Sequence, residues 1–328
     1  AVASGAATDL WIKLAEWRRD RLDDARGAED AFTRALAGAP ENLDIVRAIE
    51  MLQRAPGRER DLVKTLRARA KLETDLETKR DIYREAKSLA DAPVADAALA
   101  EEVLRDLLAE DDADLWALEE LTKARDAQGD SAQVAKLLLR RAELSVDGGD
   151  ILRLKHEAAR VFEDKLGDAA RAVSLYQEIL EQEPTDAEAS GRLRALFEKQ
   201  GRFEDLVKLL ERLIEIASSP EERANLRLVV AKTQYERFKA NQDAIDTLRA
   251  ILDEDPDHAE AIALLSRILE ETGQDADLAE LLNGQIERAR GAGDTARELT
   301  LQVRLGELLE NRVKDSGRAL ATYEAVLE

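Results

Sequence analysis

The chain has 328 residues, 45% of them apolar and only 4% aromatic, and carries a formal net charge of −21 from 49 Lys+Arg against 70 Asp+Glu. The acidic excess runs through both halves, so no basic stripe is available to displace counterions from nucleic acid or to settle on an anionic membrane. With no cysteine, disulfides, thiolate metal sites and cysteine nucleophiles are excluded, and no apolar run approaches the roughly 18 residues of a membrane-spanning helix.

In chain order, residues 8–22 read as the last helix of a unit whose earlier part is missing, with Leu10, Leu14 and Trp17 matching Ile82, Ala86 and Leu89 further on. Helices are predicted near 25–37, 42–54, 58–73 and 76–90. The same apolar columns then return at a spacing of 72 residues. One column is Ala28, Ala100, Ala172 and Ala244, and the next is Phe32, Leu104, Tyr176 and Leu248. A third is Leu36, Leu108, Leu180 and Leu252, closed by Pro40, Asp112, Pro184 and Pro256. Gly57, Gly129, Gly201 and Gly273 mark a turn where positive φ is cheapest for glycine. Leu62, Val134, Leu206 and Leu278 follow, then Leu66, Leu138, Leu210 and Leu282, while Ile82, Leu154 and Leu226 belong to the next helix. This gives units at about 8–24 (partial), 25–96, 97–168, 169–240, 241–314 and 315–328 (partial), all in one superhelical domain. Helical periodicity recurs throughout, and the strict alternation of a strand does not.

Thr74-x-x-Glu77, Thr185-x-x-Glu188 and Ser219-x-x-Glu222 have the form of capping boxes, the last with Pro220 at the first helical position. After Ile286 the segment RARGAGDTARE holds three extra residues, so Leu301, Ala319, Tyr323 and Leu327 trail their counterparts by 75; a loop is expected there. The start AVASGAATDL and the end at Glu328, in mid-helix, read as those of a piece of a longer protein. The compartment is not fixed by the sequence: the cytoplasm is favoured, and the periplasm stays open because the chain reads as a fragment.

At these columns the chain resembles the tetratricopeptide repeat (TPR) family, a helix–turn–helix with a Trp–x2–Leu–Gly start, an Ala and an aromatic in the second helix and a closing Pro. Trp11-x2-Leu14-Ala15 and Leu305-Gly306 correspond to the start. Ala28, Phe32, Ala35 and Pro40, and again Ala172, Tyr176, Ile179 and Pro184, correspond to the second helix. Ala244, Leu248, Ile251 and Pro256 match with the aromatic lost. The resemblance implies an all-α, right-handed α-solenoid of about 18 antiparallel helices with a 72-residue double repeat, four residues longer than two family repeats, so longer helices or loops are expected. It also implies that the first helix of each pair lines a groove for a partner peptide or helix.

By the family's register the groove holds Arg47, Met51, Arg84, Ser88, Trp116, Glu120, Lys123, His156, Arg160, Arg192, Lys232 and Arg267. The Lys–Asn pairs of chaperone-tail clamps are absent, so that ligand is not expected. Trp116 is expected to pack between helices rather than to act as a binding hot spot.

Catalysis has no candidate. His156 and His258 lie 102 residues apart with no ligand spacing around them, and His258 reads as a surface turn. The cluster Glu110, Asp111, Asp112 and Asp114 lacks the glycine and glutamate of a calcium loop; Asp114 reads as a helix cap. The GGD at 148–150 and GAGDT at 291–295 read as turns without a P-loop lysine. The expected function is a non-catalytic protein–protein scaffold without cofactor or metal. The alternatives are a substrate-recruiting module of a larger enzyme and a spacer that associates end to end.

Overall fold

The computed structural model describes residues 2–327, with side chains from 5 onward; Glu328, the end of the last predicted helix, lies outside them. Among the described residues there are 18 α-helices, three short π-helical turns and no strand. The chain divides into two compact units, 1–175 and 176–328, with the boundary inside the tenth helix.

Unit one holds α1 (Val2–Leu22), α2 (Ala25–Gly38), α3 (Leu43–Gln53), α4 (Glu59–Leu72), α5 (Leu76–Asp91), α6 (Ala97–Glu110), α7 (Leu115–Ala127), α8 (Ser131–Leu144), α9 (Gly148–Arg160) and the start of α10 (Ala169–Gln182). From α1 to α9 each helix packs on the next, because one amphipathic helix cannot cover its own apolar stripe. Ala15, Ala31, Phe32, Ala35, Ile45 and Ile49 form one core cluster, with Trp11 and Ile12 packed on it. A second runs from Leu62 through Ile82, Tyr83 and Leu104 to Leu121. Each large apolar side chain so enclosed contributes about 1.5–3 kcal/mol of transfer free energy.

Unit two continues through α11 (Ala187–Gln200), α12 (Phe203–Ile216), α13 (Pro220–Thr233), α14 (Asn241–Glu254), α15 (Ala259–Thr272), α16 (Asp275–Ala292), α17 (Thr295–Leu308) and α18 (Ser316–Leu327). Its core extends from Ala224 to Ala319.

The expected small-residue column is enclosed, with Ala28, Ala172 and Ala244 wholly buried and Ala100 nearly so. Gly57, Gly129, Gly201 and Gly273 all adopt positive φ, between 68° and 84°. A second left-handed column, held by glycine only once, recurs at Asp23, Ala95, Gly167, Lys239 and Lys314. At each of these the following amide reaches back six residues: Asp24 to Arg18 O, Asp96 to Ala90 O, Asp168 to Phe162 O, Ala240 to Gln234 O and Asp315 to Leu309 O. In the last three the helix widens first into a π turn, at Val161–Lys165, Gln234–Phe238 and Leu309–Val313.

Four sequence expectations need correction. Asp75 and Asp186 cap α5 and α11, accepting from the amides of Thr78 and Ala189, in place of Thr74 and Thr185. A carboxylate also meets the positive end of the helix dipole, which a hydroxyl does not. Ser219 does cap α13, with Pro220 in its first turn. The extra residues after Ile286 extend a helix instead of forming a loop. α16 has 18 residues against 14 in α4, α8 and α12, because Ala289 continues the buried stripe and Gly293, at φ +72°, stops it. Similarly, Gly148 and Gly149 are the first turn of α9, capped by Asp147. Finally, Leu10 and Trp17 are about two-thirds exposed and Leu14 is partly so, although Ile82 and Ala86 at matching positions are buried. α4 covers that face of α5, whereas no described helix precedes α1.

Candidate functional site

The first helices of successive pairs carry the predicted contact residues. In unit one these are α3, α5, α7 and α9. Arg47 on α3 reaches Glu73 at 3.0 Å, and Met51 one turn on is 70% exposed. Arg84 on α5 lies over Trp116 on α7, its guanidinium carbon 5.5 Å from the ring centroid, and also approaches Asp81 at 3.5 Å. Trp116 is half-buried and packs on the second core cluster, in keeping with the expected packing role. Ser88 is exposed.

Glu120 joins the same two helices. It accepts from Lys87 on α5 and, at 2.9 Å, from Lys123 on its own helix. Burial works against its charge, but the hydrogen bonds from Lys123 and Lys87 outweigh that and hold the carboxyl below its ordinary value. Lys123 lines a cleft of about 380 Å³ between α7, α8 and α9, which the exposed Arg160 lines as well. Five cations line this cleft, Lys123, Arg141, Arg153, Arg160 and Lys165, against the three anions Glu119, Asp126 and Glu157, which pair with Lys123 and Arg141, with Lys165 and with Arg153 respectively. In a chain with net charge −21 this local balance stands out. His156 is half-buried on α9.

In unit two, Arg192 is half-buried on α11, and Lys232 on α13 reaches Glu260 on α15 at 3.0 Å. Arg267 on α15 pairs with Glu271 at 2.9 Å and lies 5.6 Å from the ring centroid of Tyr235, whose hydroxyl donates to Glu271. Arg267 also lines a cleft of about 450 Å³ between α15 and α17, with Arg297 and Arg304 against the single anion Glu270 and a floor of Ala259, Ala263 and Ser266.

The structure thus joins Arg84 to Trp116 and Lys123 to Arg160, and places Arg267 in a separate cleft. It leaves Arg47, Met51 and Ser88 apart from these. Lys87, Arg141, Arg297 and Arg304 were missed, since each lies off the register columns and becomes a neighbour only through helix packing. His258 is no bare turn residue: its Nδ1 accepts from the Ala261 amide at 3.2 Å and caps α15. Among the described residues no group of three or more His, Asp or Glu is placed to hold a metal, and no helix is long and apolar enough to cross a membrane.

The family described as tetratricopeptide repeat matches residues 165–228. No curated protein matches the chain. Solved structures similar to it include the MamA protein, at 19% identity over 56% of this chain and 96% of that one, with a TM-score of 0.29. A tetratricopeptide repeat protein from Parabacteroides merdae shares 15% identity over 81% of this chain and 100% of that one, with a TM-score of 0.27. The P58(IPK) TPR domain shares 14% identity over 97% of this chain and 92% of that one, with a TM-score of 0.28. Scores this low carry no argument about function. The likeness to the tetratricopeptide repeat thus rests on residues 165–228, within a chain whose described residues are all helix and connecting turn.

Proposed function

We propose that the chain is a non-catalytic protein-binding scaffold, and that its first helices receive a peptide or helical segment of a partner protein. The cleft between α7, α8 and α9 supports this reading most directly, because it gathers Lys123 and Arg160 from different helices into one open, cation-rich site. Rigid helices hold its walls, so a partner segment could be ordered there without reorganising the scaffold. Remaining predicted contacts, Arg47, Met51, Arg84, Ser88, Trp116, His156, Arg192, Lys232 and Arg267, extend the proposed surface within their own units.

The test is affinity capture from native lysate with the wild-type chain beside a Lys123→Glu/Arg160→Glu variant of equal helicity and melting temperature. A protein recovered by wild type and lost by the variant supports the reading. Equal recovery by both would remove the cleft from it. A second reading, end-to-end self-association, is favoured by the exposure of Leu10 and Trp17 on α1 and of Leu320 and Leu327 on α18. Sedimentation velocity across a concentration series tests it, and an unchanging monomer would count against it.

A further inference from the structure

Unit two contains another cleft, about 460 Å³, built mainly from α14 and α16. It lies between α14, α15 and α16, and its apolar lining is Leu252, Pro256, Leu265, Leu269 and Leu281. This size falls in the ~300–1,000 Å³ range of ligand-binding pockets. At its edge, in the middle of α16, stands Gly284.

A second cleft in the same unit gives a comparison for Gly284. It is lined by Leu180, Pro184 and Leu209, which lie 72 residues before Leu252, Pro256 and Leu281, but at the place of Gly284 it has Arg212. Its volume is only about 170 Å³. Gly284 has no left-handed φ to justify it, and glycine inside a helix is less favourable than alanine. A Cβ there would meet only the tip of Arg288, 3.4 Å away. Gly284 therefore leaves this face of α16 without side-chain bulk, beside an open notch with apolar residues at its base and charged residues around them.

The rim identifies the occupant. Arg249 is engaged by Asp277 at 3.3 Å and Arg288 by Asp257 at 3.5 Å. Asp253 and Glu280, both exposed on the lining, have no ion pair or hydrogen bond among the described residues. We infer that this notch is a second protein-docking site, and that it takes an aliphatic or aromatic anchor side chain from a partner segment flanked by lysine or arginine. An apolar anchor buried in a pocket, with complementary charges at the rim, is the arrangement that concentrates binding energy in few residues.

The probe is a fluorescein-labelled peptide of repeated Lys-Lys-Leu, compared by anisotropy with its Lys-Lys-Ser counterpart at fixed salt. The leucine peptide should bind wild type about tenfold more tightly than the serine peptide. Gly284→Leu, which fills the notch, should remove that preference while the melting temperature stays at or above wild type. Should Gly284→Leu fail to fold, Asp253→Lys/Glu280→Lys alters only exposed groups and should weaken leucine-peptide binding several-fold. Equal affinity for the two peptides overturns the assignment, as does binding unchanged by the variants that fold. Concentration-dependent self-association abolished by Gly284→Leu would also overturn it, by making a second copy the occupant. Lys123→Glu/Arg160→Glu should leave the peptide preference intact, which separates this site from the cleft on the first helices.

Discussion

Arg84 on α5 and Trp116 on α7 meet across a helix pair, the guanidinium carbon 5.5 Å from the indole centroid, while Trp116 rests on the core beneath. One residue therefore serves both packing and surface chemistry. Trp116→Ala should cost about 2 kcal/mol, less than the ~3–5 kcal/mol of a fully enclosed tryptophan because its ring is only half-buried. Arg84→Ala should cost under about 1 kcal/mol, the value of an exposed cation–π contact. Urea unfolding of both variants checks the order, and an equal loss would contradict it.

Gly306 and Gly291 both lie within helices but should respond to alanine with opposite signs. A Cβ on Gly306 would come 2.8 Å from Cζ of Tyr323, inside contact distance of a ring braced on α18. Gly306→Ala should destabilise by about 1–3 kcal/mol through overpacking. Nothing lies within 4 Å of a Cβ on Gly291, so Gly291→Ala should stabilise by up to about 1 kcal/mol. Paired thermal and urea melts decide the matter.

Lys239 and Lys314 hold φ of 56° and 63°, a region that costs a side-chain-bearing residue about 1 kcal/mol. Lys239→Gly should raise stability by up to that amount. Gly201→Ala, at φ +68°, should lower it by a similar amount. If both substitutions shift the urea midpoint in the same direction, this account of the helix ends is wrong.

Glu254 receives side-chain hydrogen bonds from Arg223 and Arg227, which hold its carboxyl near a pKa of about 2 against an ordinary 4.5. A depressed folded-state value stabilises the protein above pH 4.5, and that contribution is lost as pH falls toward 2. Glu254→Gln should therefore flatten the acid limb of the stability curve in this window and leave the neutral limb parallel to wild type. Denaturant midpoints from pH 6 downward measure it, to about the pH at which unfolding is complete.

How far the sequence reaches is clearest where elements repeat. Small and apolar columns such as Ala28, Ala172 and Ala244 announce an all-helical array, because helix pairs without another core must bury one stripe at a fixed period. Gly57, Gly129, Gly201 and Gly273 announce their own turns, since only glycine adopts that backbone freely. The caps at Asp114 and Ser219 were equally legible from local spacing.

Packing decided the rest. The left-handed ends at Lys239 and Lys314 carry no sequence mark, since π turns and six-residue backbone bonds hold them. Whether RARGAGDTARE became loop or helix depended on a buried Ala289 extending the stripe of α16. The joining of Lys123 to Arg160, and the volume opened by Gly284 where an earlier repeat has Arg212, depend on neighbours from different helices. Periodicity is a property of one helix and can be read along the chain, whereas a cleft belongs to several helices and exists only once they are packed.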